Sequence, residues 1–149
     1  VSDAAPAPPD LPGVIGIHHV AFAVSDLDAA VARWLAAGAQ LHLRAVVADQ
    51  AVEAAALAWP AGGPTELELI APLGPDSGVA RFIGKRGEGM HHVAWAVQDV
   101  QACLDQITRA GARAIDATPR PGLHGTPVAF VHPSAMGGVL VELVQVSDD

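Results

Sequence analysis

The sequence predicts an α+β fold built from two tandem βαβββ modules, and three observations carry that prediction. The first is an internal repeat. Residues 16–39 read GIHHVAFAVSDLDAAVARWLAAGA and residues 89–112 read GMHHVAWAVQDVQACLDQITRAGA. The offset is constant at 73 residues, from His19 to His92, from Asp26 to Asp99 and from Gly38 to Gly111. The second is the order of patterns in each copy: a period of two, a helical period, then further apolar stretches. The third is turn chemistry, with Gly62-Gly63-Pro64 and Gly137-Gly138 at matching places before the last stretch of each copy.

Each module opens on a strand. Over Ile17–Val24, alternation puts Ile17, His19, Ala21 and Ala23 on one face and His18, Val20, Phe22 and Val24 on the other. The bulky face suits packing against a helix, and the small face around one His suits a pocket lining. The second copy repeats this with His92, Ala94 and Ala96 against Val93, Trp95 and Val97. The second His of each doublet is therefore the better candidate ligand.

A helix follows in both copies. Ser25 is the expected N-cap, with Asp28 in a capping-box-like place. Leu27, Val31, Trp34 and Leu35 form the expected buried stripe, and Gly38 supplies the left-handed stop. In the second copy the stripe is Val100, Leu104 and Ile107, with Gly111 as the stop and Cys103 beside it as a packing residue. Strands are then expected at Leu41–Ala48, Val52–Trp59 and Glu66–Ala71, and at Ala112–Ala117, Pro127–Val131 and Val139–Val146. The modules run from about 14 to 74 and from about 87 to 147 within one domain, 13–149, and side by side they are expected to form one curved mixed sheet around a cleft. Residues 1–12, rich in Ala and Pro, read as a flexible tail rather than a signal peptide.

Composition narrows the function classes. Hydrophobic residues make up 51% and charged residues 16% of the 149, which fits a packed chain rather than a disordered one. A formal net charge of −8 argues against a nucleic-acid partner or an anionic membrane surface. No apolar run reaches the roughly 20 residues that span a bilayer. A polyanionic small molecule needs local basic residues, for which Arg44, Arg81, Lys85, Arg86 and Arg120 are candidates beside the plainer reading of solvated charges. The single cysteine, Cys103, allows no intrachain disulfide and fits a reducing, cytoplasmic compartment.

The last strands also correspond. TELELIA carries Glu68 and VLVELVQ carries Glu142, at an offset of 74. Each module thus contributes one His from its first strand and one Glu from its last. His19, Glu68, His92 and Glu142 make a mixed nitrogen and oxygen set suited to a borderline divalent ion such as cobalt, manganese, nickel or zinc, with positions left for water or substrate. Glu66 shares a strand face with Glu68, so alternation does not separate the two.

The stretches IHHVAFAVSDL, ELELIAPLGPDSGVARFIGKRGEGMHHVAWAV and GLHGTPVAFVHPSAMGGVLVELVQ resemble the methylmalonyl-CoA epimerases of the vicinal oxygen chelate superfamily, which share a glyoxalase-like fold. The resemblance implies the ligand set His19, Glu68, His92 and Glu142, so that Glu68 is preferred to Glu66. It implies cobalt as the first choice of metal, an acyl-CoA substrate, a homodimer, and an epimerase that interconverts the 2R and 2S forms of methylmalonyl-CoA through a metal-stabilised enolate. Glu142 is implied to be both ligand and acid/base. Some members carry a second carboxylate four residues after the Gln of a QGV-like segment; here that position is Ala54. Glu53, one residue earlier, is the candidate in its place: a bulge turns it into the cleft, and strict alternation turns it away. Two further departures are His132-Pro133-Ser134-Ala135, which lacks the Lys and Asp of the family's HPKD-like stretch, and the longer PAGGP loop before Glu68. The rival readings are a glyoxalase-I-type lyase and a non-catalytic small-molecule-binding protein of the same fold.

Overall fold

Both copies of the repeat build the same βαβββ path. The computed structural model describes residues 8–147. In the first copy β1 (Val14–Ala23) leads into α1 (Leu27–Ala36), then β2 (Gln40–Val47), β3 (Val52–Ala58) and β4 (Glu66–Pro72). In the second, β5 (Gly89–Val97) leads into α3 (Val100–Arg109), then β6 (Arg120–Pro121), β7 (Pro127–Val131) and β8 (Val141–Gln145), with α2 (Gly78–Arg86) between the copies. The chain divides into two compact units. One is His18–His91; the other joins the residues up to Ile17 to those from His92 onward. The start of β1 thus groups with the second copy, and α2 with the first.

The strand order in the first unit is β2-β3-β4-β1, and in the second β6-β7-β8-β5. In each the opening strand runs parallel to the closing strand, β1 beside β4 and β5 beside β8, while the remaining pairs are antiparallel. Each sheet is therefore mixed, as the fold class requires. One face of the first sheet packs Ala55, Leu57, Leu67 and Leu69 against Leu27 and Val31 of α1. The same face of the second packs Val97, Ala129, Val131, Val141 and Leu143 against Val100, Cys103, Leu104 and Ile107 of α3. Full burial of side chains such as Ile107 and Leu143 contributes roughly 1.5–3 kcal/mol each.

The helix caps correct one expectation. Asp26, not Ser25, caps α1, its carboxylate accepting the Ala29 N–H, and Asp99 caps α3 through the Ala102 N–H. Asp recurs in both copies whereas Ser25 faces Gln98 in the repeat, so the cap is the residue the copies share. The Ser25 N–H is engaged by the Glu88 carboxylate at 2.7 Å. Asp28 pairs with Arg44 at 2.7 Å instead of completing a capping box. Leu35 is 45% exposed, because the stripe of this short helix ends with Trp34. Gly38 and Gly111 stop the helices at φ +95° and +72°.

Three other differences follow from particular contacts. The strand expected at Ala112–Ala117 is reduced to a single bridge between Ala114 and Val131. There the Asp116 carboxylate accepts the Phe130 N–H at 2.8 Å in place of a backbone carbonyl. Helix α2 falls in a segment that the repeat does not cover. Ser77 caps it through Val79 N–H and Ala80 N–H, and Lys85 and Arg86 lie in its last turn, where they complement the helix dipole. Of the expected tail, residues 1–7 lie outside the described residues; Leu11 is buried in the α3 core, and the Pro12 carbonyl accepts the Cys103 S–H at 3.3 Å. Cys103 is a packing residue, and burial pushes its thiol pKa up, away from reactivity.

Candidate metal centre

In the first unit the strand register explains how His19 reaches Glu68. Parallel pairing sets His19 opposite Glu66 and Ala21 opposite Glu68, while antiparallel pairing sets Ala56 on the other side of Glu68. Two methyl side chains therefore flank the Glu68 carboxylate, and the larger imidazole reaches it diagonally from one pleat away. His19 Nε2 lies 3.3 Å from Glu68 Oε2, with both side chains buried. The other ring nitrogen of His19 meets His18 Nδ1 at 2.7 Å. Glu66 is placed differently: its carboxylate lies 3.5 Å from Nδ1 of the half-exposed His42. The structure thus separates the two glutamates that alternation leaves together.

The second unit repeats the geometry. Ala94 stands opposite Glu142 on the parallel side, and Phe130 stands opposite it on the antiparallel side. His92 Nε2 lies 3.2 Å from Glu142 Oε2, and both side chains are buried. The ring of Phe130 meets His92 edge to face at 5.1 Å. Burial lowers the His92 pKa to about 3, so its ring is neutral with a nitrogen lone pair to offer. Burial raises the Glu142 pKa to about 8; Arg120 and His124 pull it down, and Asp116 pushes it up. A neutral imidazole and a proton-holding carboxyl, both withdrawn from water, form a donor pair that a divalent cation would convert to its metal-binding form.

Glu53 does not join either pair. The register between β3 and β4 is regular from Val52 to Leu57, and the irregularity in this sheet falls instead in β2, between Leu41 and Leu43. Without a bulge in β3, Glu53 lies on the helix-facing side with Ala55 and Leu57, while Ala54 and Ala56 share the face of Glu68. There it receives Arg44 Nε and Nη2, both at 3.2 Å, in an ion pair that joins β2 to β3. The bulge that would turn Glu53 toward Glu68 is not present in β3, so Glu53 takes the outcome that strict alternation predicts.

Four of the five candidate basic residues, the arginines, are likewise occupied. Arg44 is shared between Glu53 and Asp28, and Arg81 donates to the Asp76 carbonyl at 2.6 Å. Arg86 lies over the Phe82 ring, and Arg120 lies over Phe130 while approaching Asp116 at 3.5 Å. In the departure at 132–135, His132 Nδ1 takes the Ser134 N–H at 3.0 Å and caps a 3₁₀ turn, so the segment closes on itself. Sequence reasoning missed Asp116, His124 and Phe130 as neighbours of Glu142. For Phe130 a signal existed: strict alternation in β7 puts Val128 and Phe130 on one face. No helix among the described residues is long and apolar enough to cross a membrane.

Comparison with known proteins places these pairs in a family. The glyoxalase/bleomycin resistance protein/dioxygenase superfamily matches residues 18–130. An ethylmalonyl-CoA/methylmalonyl-CoA epimerase of Cereibacter sphaeroides is 39% identical over 133 residues, covering 87% of this chain and 97% of its own length. The mitochondrial methylmalonyl-CoA epimerase of Homo sapiens is 37% identical over 131 residues, covering 87% of this chain and 73% of its own. Among solved structures, a methylmalonyl-CoA epimerase from Mycobacterium tuberculosis superposes with a TM-score of 0.85 at 33% identity, over 99% of this chain and 93% of that one. A methylmalonyl-CoA epimerase in complex with methylmalonyl-CoA and NH4+ gives 0.83 at 35% identity, over 91% and 96%. With its two βαβββ copies and these matches, the chain belongs to the methylmalonyl-CoA epimerase family of the glyoxalase/bleomycin resistance protein/dioxygenase superfamily.

Proposed function

We propose that this protein epimerises the α-carbon of methylmalonyl-CoA, with His19, Glu68, His92 and Glu142 holding one divalent ion. The observation that carries the reading is the shared register, in which each copy sets a buried His diagonally against a buried Glu across one alanine. The four residues supply two imidazole nitrogens and two carboxylates, which fit a borderline ion, with cobalt first and manganese, zinc or nickel as alternatives. Such an ion supplies Lewis acidity to the thioester and carboxylate oxygens that flank the substrate α-carbon.

The chain's own residues do the rest. This reading gives Glu142 the role of acid/base beside that of ligand, as the family resemblance implies; in the metal-free chain burial raises its carboxyl pKa to about 8. Epimerisation needs a second carrier on the opposite face of the α-carbon. This reading assigns that role to Glu68, which occupies in the first copy the place of Glu142 in the second and is itself a carboxylate. His19 and His92 each bring an Nε2 beside one of the two carboxyls, so that imidazole and carboxylate can share the ion, and the buried alanines and apolar residues around them keep water from the reacting carbon. A homodimer in the cytoplasm accompanies the proposal, drawn from the family resemblance and from the single cysteine; light scattering tests the first part.

The deciding experiment incubates the metal-loaded protein with methylmalonyl-CoA in D2O and follows α-proton exchange by NMR together with the stereochemistry of the product. Exchange with interconversion of the 2R and 2S forms is expected. Absence of exchange with cobalt, manganese and zinc alike would overturn the epimerase reading.

A further inference from the structure

We infer that His18 is a positioning residue, holding His19 in the ring orientation that aims its Nε2 at the ion; the inference rests on the metal site proposed above. His18 precedes the ligand on β1, and alternation alone turns its side chain to the other face. Its Nδ1 nevertheless lies 2.7 Å from His19 Nδ1, with the ring centroids 5.0 Å apart and the planes 78° from parallel. One nitrogen of this pair must donate and the other accept. Because Nε2 of His19 is directed toward Glu68, its lone pair is the one a cation there would take, which leaves the proton on Nδ1. The His19 Nδ1–H then donates to His18 Nδ1. A hydrogen bond from the non-ligating nitrogen fixes both tautomer and ring direction and raises the basicity of the ligating one.

The second doublet carries other ring contacts as well. His91, the repeat counterpart of His18, lies edge to face on Phe82 at 4.9 Å. The His92 ring is braced by Phe130 instead. In the first copy the support is polar, a ring nitrogen on a ring nitrogen.

The test uses zinc alone as the probe, on the full chain, with 15N-labelled histidine. His18→Phe keeps a ring and removes the acceptor, whereas His18→Asn offers a carbonyl oxygen close to where Nδ1 sits. Zinc affinity is expected to fall roughly 10- to 100-fold in His18→Phe, and His18→Asn is expected to stay within about threefold of the wild type. In the zinc-loaded wild type the His19 Nδ1–H resonance is expected to be protected from solvent exchange. That protection is lost in His18→Phe, while the His92 ring signals stay in place. Wild-type affinity and a protected His19 N–H in His18→Phe would overturn the inference and leave the metal site standing. Equal losses in the Phe and Asn variants would also overturn it, since packing rather than the acceptor would then be responsible. A wild-type protein that takes up no zinc overturns the metal reading and this inference together.

Discussion

The two copies share a backbone plan and differ in what surrounds the same pair of side chains. In the first, Glu68 sits between Ala21 and Ala56, and His19 is backed by the imidazole of His18. In the second, Glu142 sits between Ala94 and Phe130, and Arg120, His124 and Asp116 all act on its carboxyl. Duplication fixes where the His and Glu stand; the non-repeated neighbours set what each pair touches.

The comparison breaks most sharply at the ligands. His92→Ala is expected to abolish both metal retention and α-proton exchange, and His19→Ala to do the same, because the proposed donor set takes one His and one Glu from each copy. Metal analysis after gel filtration, run beside the exchange assay, checks this; full activity in either variant would refute the assigned quartet. Next come the carboxyls. Glu142→Gln and Glu68→Gln are each expected to lower epimerisation by roughly 10²–10⁴-fold. Single-turnover exchange in D2O should show each variant still exchanging one antipode faster than it interconverts the two, with opposite preferences. Identical preferences in both variants would remove Glu68 from the second proton-carrier role.

The unequal titration of the second pair gives a pH signature. With the Glu142 pKa raised from 4.5 to about 8, the metal-free protein holds a proton there that the unfolded chain has lost, so this contribution to stability falls as pH rises from about 4.5 to 8. The depressed His92, from 6.5 to about 3, acts in the other direction: its contribution rises with pH from about 3 to 6.5. Metal uptake must displace the Glu142 proton, so affinity should climb by up to roughly tenfold per pH unit until about pH 8 and then level off. Calorimetry of zinc binding in buffers of different ionisation enthalpy measures the proton released at pH 7. Uptake without proton release would show that Glu142 is already ionised.

The smallest effect is expected at Glu53. Its ion pair with Arg44 lies at the surface, where such pairs are worth about 0–1 kcal/mol, so Glu53→Gln should change the melting temperature little and the epimerisation rate by less than about twofold. A hundredfold loss of rate would return Glu53 to the catalytic set and require β3 to present its other face.

Much of this was legible before any coordinates. The 73-residue repeat predicts two like modules, and the doublets with their trailing alanines single out His19 and His92. The repeat also held an unused discriminator between Glu66 and Glu68: at the offset of 74, Glu68 falls on Glu142 and Glu66 falls on Leu140. Other features were not legible, because they depend on contacts between segments far apart in the chain. The bulge lies in β2 rather than β3, the side chain of Asp116 replaces a strand in the second copy, and Leu11 is drawn into the α3 core.

The sequence by itself determined the duplicated path, the helix stops at Gly38 and Gly111, and the residue types that can hold a cation, since periodicity, backbone freedom and donor chemistry are local properties. Only the tertiary structure decided the rest. Register set Glu66 opposite His19 and Glu68 one pleat on, where the His19 ring reaches it diagonally, and it turned Glu53 to the helix side; side-chain packing set His18 behind His19. The physical reason is that strand pairing and burial are relations between segments. A side chain's partner, and with it the proton it holds, is fixed only when those segments meet.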